Sequence, residues 1–233
     1  VLTPALIAVA TAGAHILIAI SHGGPVAVPD VPSYIQFAYG NPGDSVPSPT
    51  SYHPGYGQLL RPLTFVGVTG TELHQAALIF NGLLAGVCVY LAAVFGSRLG
   101  LSPRLSMLCA GMAALYPGVS ASSRIAWPET LLCVAVLASA IFAHDQTSRK
   151  NFFLGLLSGL LFCVHPRAIV VTVAVVVLSI VISAKRLRRS LLLGLLLGWS
   201  GSTILLFQTG TWQTARFNAA KEPKAILEIL VSG

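Results

Sequence analysis

The residues best suited to chemistry are a few charged side chains just outside long apolar stretches. Asp30 is one of only seven acidic residues among 233, and it lies in Pro29–Tyr39, directly after the first apolar stretch. A carboxylate there can act as a general base that removes a proton from a hydroxyl group. It can equally cap a helix that begins near Pro32, because Asp is a favoured N-cap residue and proline suits the first turn. The two roles are compatible.

Further ionisable side chains are grouped in three polar segments between the apolar stretches. They are His53 and Arg61 in the first segment, Arg124 and Glu129 at the second, and His165 and Arg167 at the third. Ionisable groups at membrane depth are costly and usually line a site or a pathway. Arginine binds phosphate through two parallel hydrogen bonds, so a phosphate ligand is indicated. For each arginine the alternative is a headgroup anchor, and for Glu129 it is a favourable interaction with a helix N-terminus.

The composition predicts an all-α, polytopic membrane protein. The chain is 55% hydrophobic and 9% charged, with a mean hydropathy of +0.79, whereas soluble domains carry about 25% charged residues. The net charge of +7 does not indicate nucleic-acid binding, because the basic residues lie in short segments between apolar runs, where they set orientation. The four cysteines lie within apolar runs and are interpreted as small buried side chains.

Seven apolar runs are predicted to be membrane spans, and the first is interpreted as a true span because no basic segment of a signal peptide precedes it. The runs are Val1–Ile20, Glu72–Phe95, Pro103–Tyr116, Glu129–Ala143, Asn151–Val164, Ala168–Ala184 and Leu191–Phe207. The third and fifth are too short to cross, because a helix of their length rises only about 21 Å against a hydrocarbon core of about 30 Å. We expect them to stop inside the protein or beside a water-filled cavity.

The loop after the first run is predicted to hold two short juxtamembrane helices, Pro32–Tyr39 and Gly55–Val66, whose aromatic side chains suit the membrane interface. A second polar loop is predicted over Val119–Pro128. Basic residues are densest in three very short loops, those after the second, fourth and sixth runs, which predicts that these loops are cytoplasmic. Asp30 and Glu129 then lie on the outer side, in a protein we expect in a bacterial plasma membrane.

Four segments, in this order, resemble motifs of the GT-C superfamily of membrane glycosyltransferases, which includes protein mannosyltransferases and aminoarabinose transferases. They are Asp30-x-x-x-Tyr34-x-x-x-Ala38, His53–Pro62, Ser123–Thr130 and Gly155–Arg167. The last ends in His-Pro-Arg, with proline and arginine in the opposite order from the family pattern. The resemblance covers residues 1–207, which would form the conserved transmembrane module. Residues 208–233 would be an outer tail that leads to a variable second module.

The resemblance implies transfer of a sugar from a polyprenyl-phosphate donor to an extracytoplasmic acceptor, which is a glycan, a lipid or a protein. Asp30 would be the general base and Glu129 a second acid that positions sugar or acceptor. The side chains that would bind substrate are Tyr34, His53, Arg61, Arg124, His165 and Arg167, with Arg216 a further candidate for the phosphate. No cofactor is required, although His53 and His165 with either carboxylate could hold a divalent metal.

Two other classes of protein fit the composition. A transporter or lipid carrier would also contain broken helices, but such proteins carry internal repeats, and none is evident between the two halves of this chain. A truncated module that lacks catalysis and only holds a partner is the other alternative. The grouping of ionisable residues at one edge argues against a transporter, and Asp30 together with three outer arginines argues against the truncated module.

Overall fold

A computed structural model describes residues 3–21, 31–39, 53–144, 147–165, 168–170, 172–174, 177 and 185–208. All regular structure within these ranges is helical, which confirms the all-α prediction. The helices are α1 Pro4–Ser21, α2 Val31–Gln36, α3 Gly55–Phe65, α4 Gly70–Arg98, α5 Pro103–Leu115, α6 Pro117–Ser123, α7 Glu129–His144, α8 Ser148–Val164 and α9 Lys185–Gln208. A 3-10 turn, Phe37–Tyr39, extends α2. Short helices are therefore present at both positions where the sequence predicts juxtamembrane helices.

Three helical stretches are long and apolar enough to cross a membrane, namely Pro4–Ser21, Gly70–Arg98 and Arg188–Gln208. A fourth crossing results if α5 and α6 are counted together, although their axes differ by 50°. The described residues thus provide three or four helices of membrane length rather than seven. Most of the predicted run Ala168–Ala184 lies outside the described ranges, and α7 is a shorter apolar helix.

The break between α5 and α6 follows from one proline. Tyr116 has extended backbone angles (φ −67°, ψ 119°) because the residue before a proline is disfavoured in the helical region. Pro117 then serves as the first residue of a new helix, a position where its missing N–H costs nothing. The prediction of a polar loop from Val119 to Pro128 is therefore wrong in its first half, since α6 continues to Ser123.

The long helix α4 is the centre of the bundle, and α1, α5 and α7 pack against it. Gly86 brings α1 close: a Cβ atom at this position would lie 2.7 Å from the carbonyl oxygen of Ala8. At one end of the bundle, α3 lies against α4 through the buried Tyr56, whose hydroxyl reaches Asn81, and α2 packs on α3 through the buried Tyr34 ring. Short side chains inside and aromatic rings at the end therefore fix the position of α4.

Helices α8 and α9 form the closest helix pair in the described chain. Each presents two glycines four residues apart, Gly155 with Gly159 and Gly194 with Gly198. A Cβ atom at Gly155 would lie 2.1 Å from the carbonyl oxygen of Leu191, so only glycine permits this approach. Small residues at this spacing let helix backbones meet inside membranes, where the gain comes from packing rather than from the hydrophobic effect. This pair holds the end of α8 in place.

Candidate functional site

The candidate site lies where α3 begins against the last turn of α8. A Cβ atom at Gly55 would be 2.7 Å from the carbonyl oxygen of Cys163, so the two backbones touch there. His165 follows as the C-terminal cap of α8, and Glu129 is the first residue of the neighbouring α7. The imidazole Nε2 of His165 lies 3.9 Å from Oε1 of Glu129. Two of the residues predicted from sequence therefore meet directly.

The pair formed by Glu129 and His165 is suited to proton movement. The two side chains are only 27% and 11% exposed, respectively, so water screens their interaction weakly. The N-terminus of α7 favours the ionised carboxylate through the helix dipole. A protonated imidazole would form an ion pair with it, and a neutral one would be placed to accept a proton. An acid and a base in contact are the arrangement that general acid–base chemistry needs.

His53 is bound to the same end of α8. Its Nδ1 donates a hydrogen bond to the carbonyl oxygen of Phe162, and its ring meets the Phe162 ring edge-on with centroids 5.0 Å apart. Burial lowers the pKa of His53, and the bond to the Phe162 carbonyl offsets part of that effect. The imidazole is thus neutral at pH 7, with Nε2 as a hydrogen-bond acceptor. Phe162 in turn stacks on Trp199 of α9, with centroids 5.1 Å apart.

Tyr34 contributes to the site through Tyr56. The two rings meet edge-on at 6.1 Å, and both are buried. The Tyr56 hydroxyl donates to Oδ1 of Asn81 at 3.1 Å. Burial raises the pKa of Tyr56, so the phenol stays protonated and acts only as a structural donor. Tyr56 therefore serves as a packed ring and a hydrogen-bond donor, and the Tyr34 ring packs against it.

Asn81 is the residue that ties the turn before α7 to the bundle. Its side-chain amide donates to the carbonyl oxygens of Ile125 at 2.7 Å and Trp127 at 3.1 Å. Since Glu129 follows this turn directly, Asn81 helps to set the position of the carboxylate. The sequence analysis missed this residue. The sequence nevertheless contained a signal for Asn81: it is a lone asparagine within an apolar helix, and a buried asparagine requires hydrogen-bond partners.

The other side of the same turn is held by α6. The indole Nε1 of Trp127 donates to the Ser122 carbonyl oxygen at 3.1 Å, and the Thr130 hydroxyl donates to the Ser122 hydroxyl at 3.2 Å. The next residue, Ser123, is hydrogen-bonded to Nδ1 of His15 at 2.8 Å. Ser123, Trp127 and Thr130 lie in the segment Ser123–Thr130 that the sequence indicated, whereas Ser122 and His15 were not predicted. Only the bond between Ser123 and His15 joins helices that are distant in the chain.

The predicted arginines are placed differently. Arg61 donates to Oε1 of Gln58 at 3.2 Å, and its guanidinium lies 5.5 Å from the centroid of the Phe65 ring. Arg124 ends α6 and is exposed. Both contacts of Arg61 are local to α3, and neither reaches across to α8. Asp30, Arg167 and Arg216 lie outside the described residues.

The described ranges contain no group of three or more His, Cys, Asp or Glu residues that could hold a metal ion. The metal interpretation that includes Asp30 falls outside those ranges. No protein-family model, curated protein or solved structure matched the chain.

Proposed function

We propose that this protein is a membrane glycosyltransferase that moves a sugar from a polyprenyl-phosphate donor to an extracytoplasmic acceptor. The observation that supports it most directly is the close approach of Glu129 and His165 at the end of a helical bundle. A half-buried carboxylate beside an imidazole, next to aromatic rings, suits an acceptor hydroxyl and a sugar ring. The apolar helices below suit a donor that stays in the membrane.

The proposed reaction is a single displacement at the anomeric carbon. The acceptor oxygen forms a bond to that carbon while the bond to the phosphate oxygen breaks and its electron pair stays on the phosphate. The hydroxyl proton passes to a carboxylate, for which Asp30 is the proposed base. Glu129 orients the sugar or the acceptor, and His165 holds Glu129. One displacement inverts the configuration at the anomeric carbon.

The leaving phosphate needs cations, and the outer arginines are proposed to supply them. Arg124 is exposed and therefore open to a lipid headgroup. Arg61 is held against Phe65 and Gln58, so it would have to swing outward. Arg167 follows the C-terminal cap of α8 by two residues in sequence, which supports keeping it in the proposal. Bidentate pairing with arginine would stabilise the charge that develops on the departing phosphate.

The fold proposed for this activity is the GT-C module over residues 1–207, with seven spans and a tail over residues 208–233. The observed juxtamembrane helices α2 and α3 support it, since they lie between the first two membrane-length helices as that module requires. The short helix α5 also fits the expectation that the third run stops within the protein, whereas α8, the fifth run, begins three residues earlier than predicted, at Ser148.

A lipid carrier or transporter is the second candidate, and the broken helix at Tyr116 favours it. Discontinuous helices near the centre of a bundle are a common feature of transporter binding sites. In that case the polar residues around Glu129 would bind a substrate in transit without changing it. A module that only holds a partner is a third alternative, which the buried pair of Glu129 and His165 disfavours because unused buried charges destabilise a fold.

The deciding experiment uses proteoliposomes that contain the protein, a radiolabelled polyprenyl-phosphate sugar and candidate acceptors. We expect Asp30→Asn to bind donor normally and to lose about 10²–10⁴-fold in turnover, because the amide cannot accept a proton at neutral pH. Glu129→Gln should also lose turnover. The matched control is Glu72→Gln, which changes an exposed acid in the first turn of α4 and should be silent.

Two outcomes would contradict the proposal. Near-normal transfer by both Asp30→Asn and Glu129→Gln would remove the carboxylates from the chemistry. Movement of intact labelled donor between leaflets, with no sugar transferred to any acceptor, would support the lipid carrier instead.

A further inference from the structure

Basic residues are concentrated at the starts of α8 and α9. The sequence at these two starts, residues 145–150 and 185–189, holds six basic residues and one acid. The basic residues are Arg149, Lys150, Lys185, Arg186, Arg188 and Arg189. Arg149, Arg188 and Arg189 are exposed. One carboxylate cannot balance these charges, so the two helix starts carry a net positive charge.

The packing of α8 on α9 brings the two starts together. Gly194 of α9 lies against the α8 backbone between Phe152 and Leu156, and the glycine four residues later lies one turn further along α8. The two helices are therefore parallel. The same register, followed back to the helix starts, places Arg188 within about one turn of Arg149, or about 5.4 Å along the axis. The cations of both helices thus lie at one level, at the end of α8 opposite to His165.

This placement of charge opposes the helix dipoles. The start of a helix carries a partial positive charge from its N–H groups and favours acidic side chains. Neither α8 nor α9 has an acidic residue in its first turn, and both carry basic residues there instead. Two parallel dipoles and a group of basic side chains therefore form a region that favours an anion.

Asn151 supplies a hydrogen-bond donor directly inside the cations. The residue is only 1% exposed, and its side-chain Nδ2 has no hydrogen-bond partner among the described residues. Asn151 precedes Gly155 by one turn, so it lies on the face of α8 that meets α9. Buried polar groups are almost always hydrogen-bonded. The amide therefore indicates that an acceptor binds between the two helix starts.

The surface next to the cations is apolar. One turn further into the helix pair, Phe153, Leu192 and Leu193 are 42%, 49% and 54% exposed, respectively. The guanidinium carbon of Arg149 lies 5.9 Å from the centroid of the Phe153 ring, so the cationic and apolar surfaces adjoin. A soluble anion would use only the cationic surface, whereas a bilayer lipid with an anionic headgroup fits both.

We propose that the starts of α8 and α9 bind one anionic phospholipid. Its phosphate pairs with the basic residues of the two helix starts and accepts a hydrogen bond from the amide of Asn151. Its chains lie against the apolar surface formed by Phe153, Leu192 and Leu193. Charge-assisted hydrogen bonds hold the phosphate, and the surplus of positive charge selects a headgroup with net negative charge. This inference depends neither on sugar transfer nor on the orientation of the protein in the membrane.

The test measures lipid binding to the full chain in detergent by native mass spectrometry. Phosphatidylglycerol and phosphatidylcholine with the same chains are titrated, and the bound fraction gives each apparent affinity. We expect phosphatidylglycerol to bind about tenfold more tightly or better, since hydrogen bonds to a charged group are typically worth that factor. The double variant Arg149→Gln with Arg188→Gln should lose this preference. Its matched control, Arg98→Gln with Arg104→Gln, removes two exposed charges from α4 and α5 and should keep it.

The variant Asn151→Leu tests the amide without changing the charge. Removal of a buried donor that has no partner should leave the melting temperature without added lipid unchanged or higher, whereas the affinity for phosphatidylglycerol should fall about tenfold. Glycerol 3-phosphate, which resembles the headgroup but has no chains, should not raise the melting temperature.

Four results would overturn the proposal. They are equal binding of the two lipids, equal loss of preference in both double variants, wild-type affinity for phosphatidylglycerol in Asn151→Leu, and a rise in melting temperature with glycerol 3-phosphate as large as that with phosphatidylglycerol. The last result would show that a soluble anion suffices and that the apolar surface takes no part.

Discussion

Replacing Gly194 by alanine should separate α8 from α9. The new Cβ atom would lie 2.0 Å from the carbonyl oxygen of Phe152 and 2.9 Å from the backbone nitrogen of Leu156. Both are backbone atoms, so no side chain can turn aside. To reach an ordinary contact distance, the two helices must move apart by more than an ångström at this point.

The expected loss in the free energy of unfolding follows from one stabilising effect and two destabilising effects. Alanine is a better helix former than glycine, which stabilises the variant by about 1 kcal/mol. Overpacking destabilises it by about 1–3 kcal/mol. Separation of the helices would also weaken the 2.7 Å hydrogen bond from the Ser202 hydroxyl to the Gly159 carbonyl oxygen, worth about 1 kcal/mol. The net prediction is a loss of about 1–3 kcal/mol in the free energy of unfolding.

The assay is reversible unfolding of the purified protein in mixed detergent micelles, followed by circular dichroism. Gly201→Ala is the matched control in the same helix, because its Cβ atom would lie 3.4 Å from the Cδ2 atom of Leu160, an ordinary contact with a side chain. The control should be unchanged or slightly more stable. If Gly194→Ala were as stable as Gly201→Ala, the close approach of the two backbones would be refuted.

Three further predictions concern the site and the topology. Asn81→Leu should destabilise the protein by about 2–5 kcal/mol, because two partly buried carbonyl oxygens lose their donor and the buried Tyr56 hydroxyl loses its acceptor; a loss below 1 kcal/mol in the same unfolding assay would argue against the anchored turn. Burial lowers the pKa of His53, so unfolded chains bind the extra proton and the stability present above about pH 6.5 declines as the pH falls. His53→Asn keeps a donor towards the Phe162 carbonyl and should reduce that decline. Identical profiles of stability against pH for the variant and the wild type would exclude His53 as the cause of the decline. An impermeant thiol reagent added outside cells should label Ala121→Cys and not Thr147→Cys, both at exposed positions, and the reverse result would invert the predicted orientation.

The helices themselves were largely predictable from the sequence, because the signals that form them are local. Apolar composition and run length predict membrane-length helices such as α4, and proline marks where α5 ends. The bounds of α3 agree with the prediction to within one residue at its C-terminal end. Caps act over a few residues as well: the Ser102 hydroxyl accepts from the backbone nitrogen of Leu105 at the start of α5. Such interactions depend only on neighbours in the chain.

The sequence did not determine how many apolar runs cross the membrane. Both α4 and α7 are apolar, but only α4 is long enough to cross a membrane. The described residues provide three or four helices of membrane length. The sequence could indicate that α5 is too short, but it could not show that the chain resumes as a helix at Pro117, since a proline serves equally in a loop or in a first turn. Packing of Ser122 and Ser123 against α7 and α1 decided that α6 forms.

The composition and order of the chain thus determined a helical membrane protein with chemistry-bearing residues near the ends of its helices. The tertiary structure alone decided which of them meet. His165 and Glu129 approach each other across two helices, and His53 reaches a carbonyl group 109 residues away. Arg61 was grouped with them by sequence and instead contacts its own helix. Helix periodicity sets the face on which a side chain lies, but the partner opposite that face depends on the rotation and depth of the next helix, which glycine contacts and buried hydrogen bonds fix only in the folded protein.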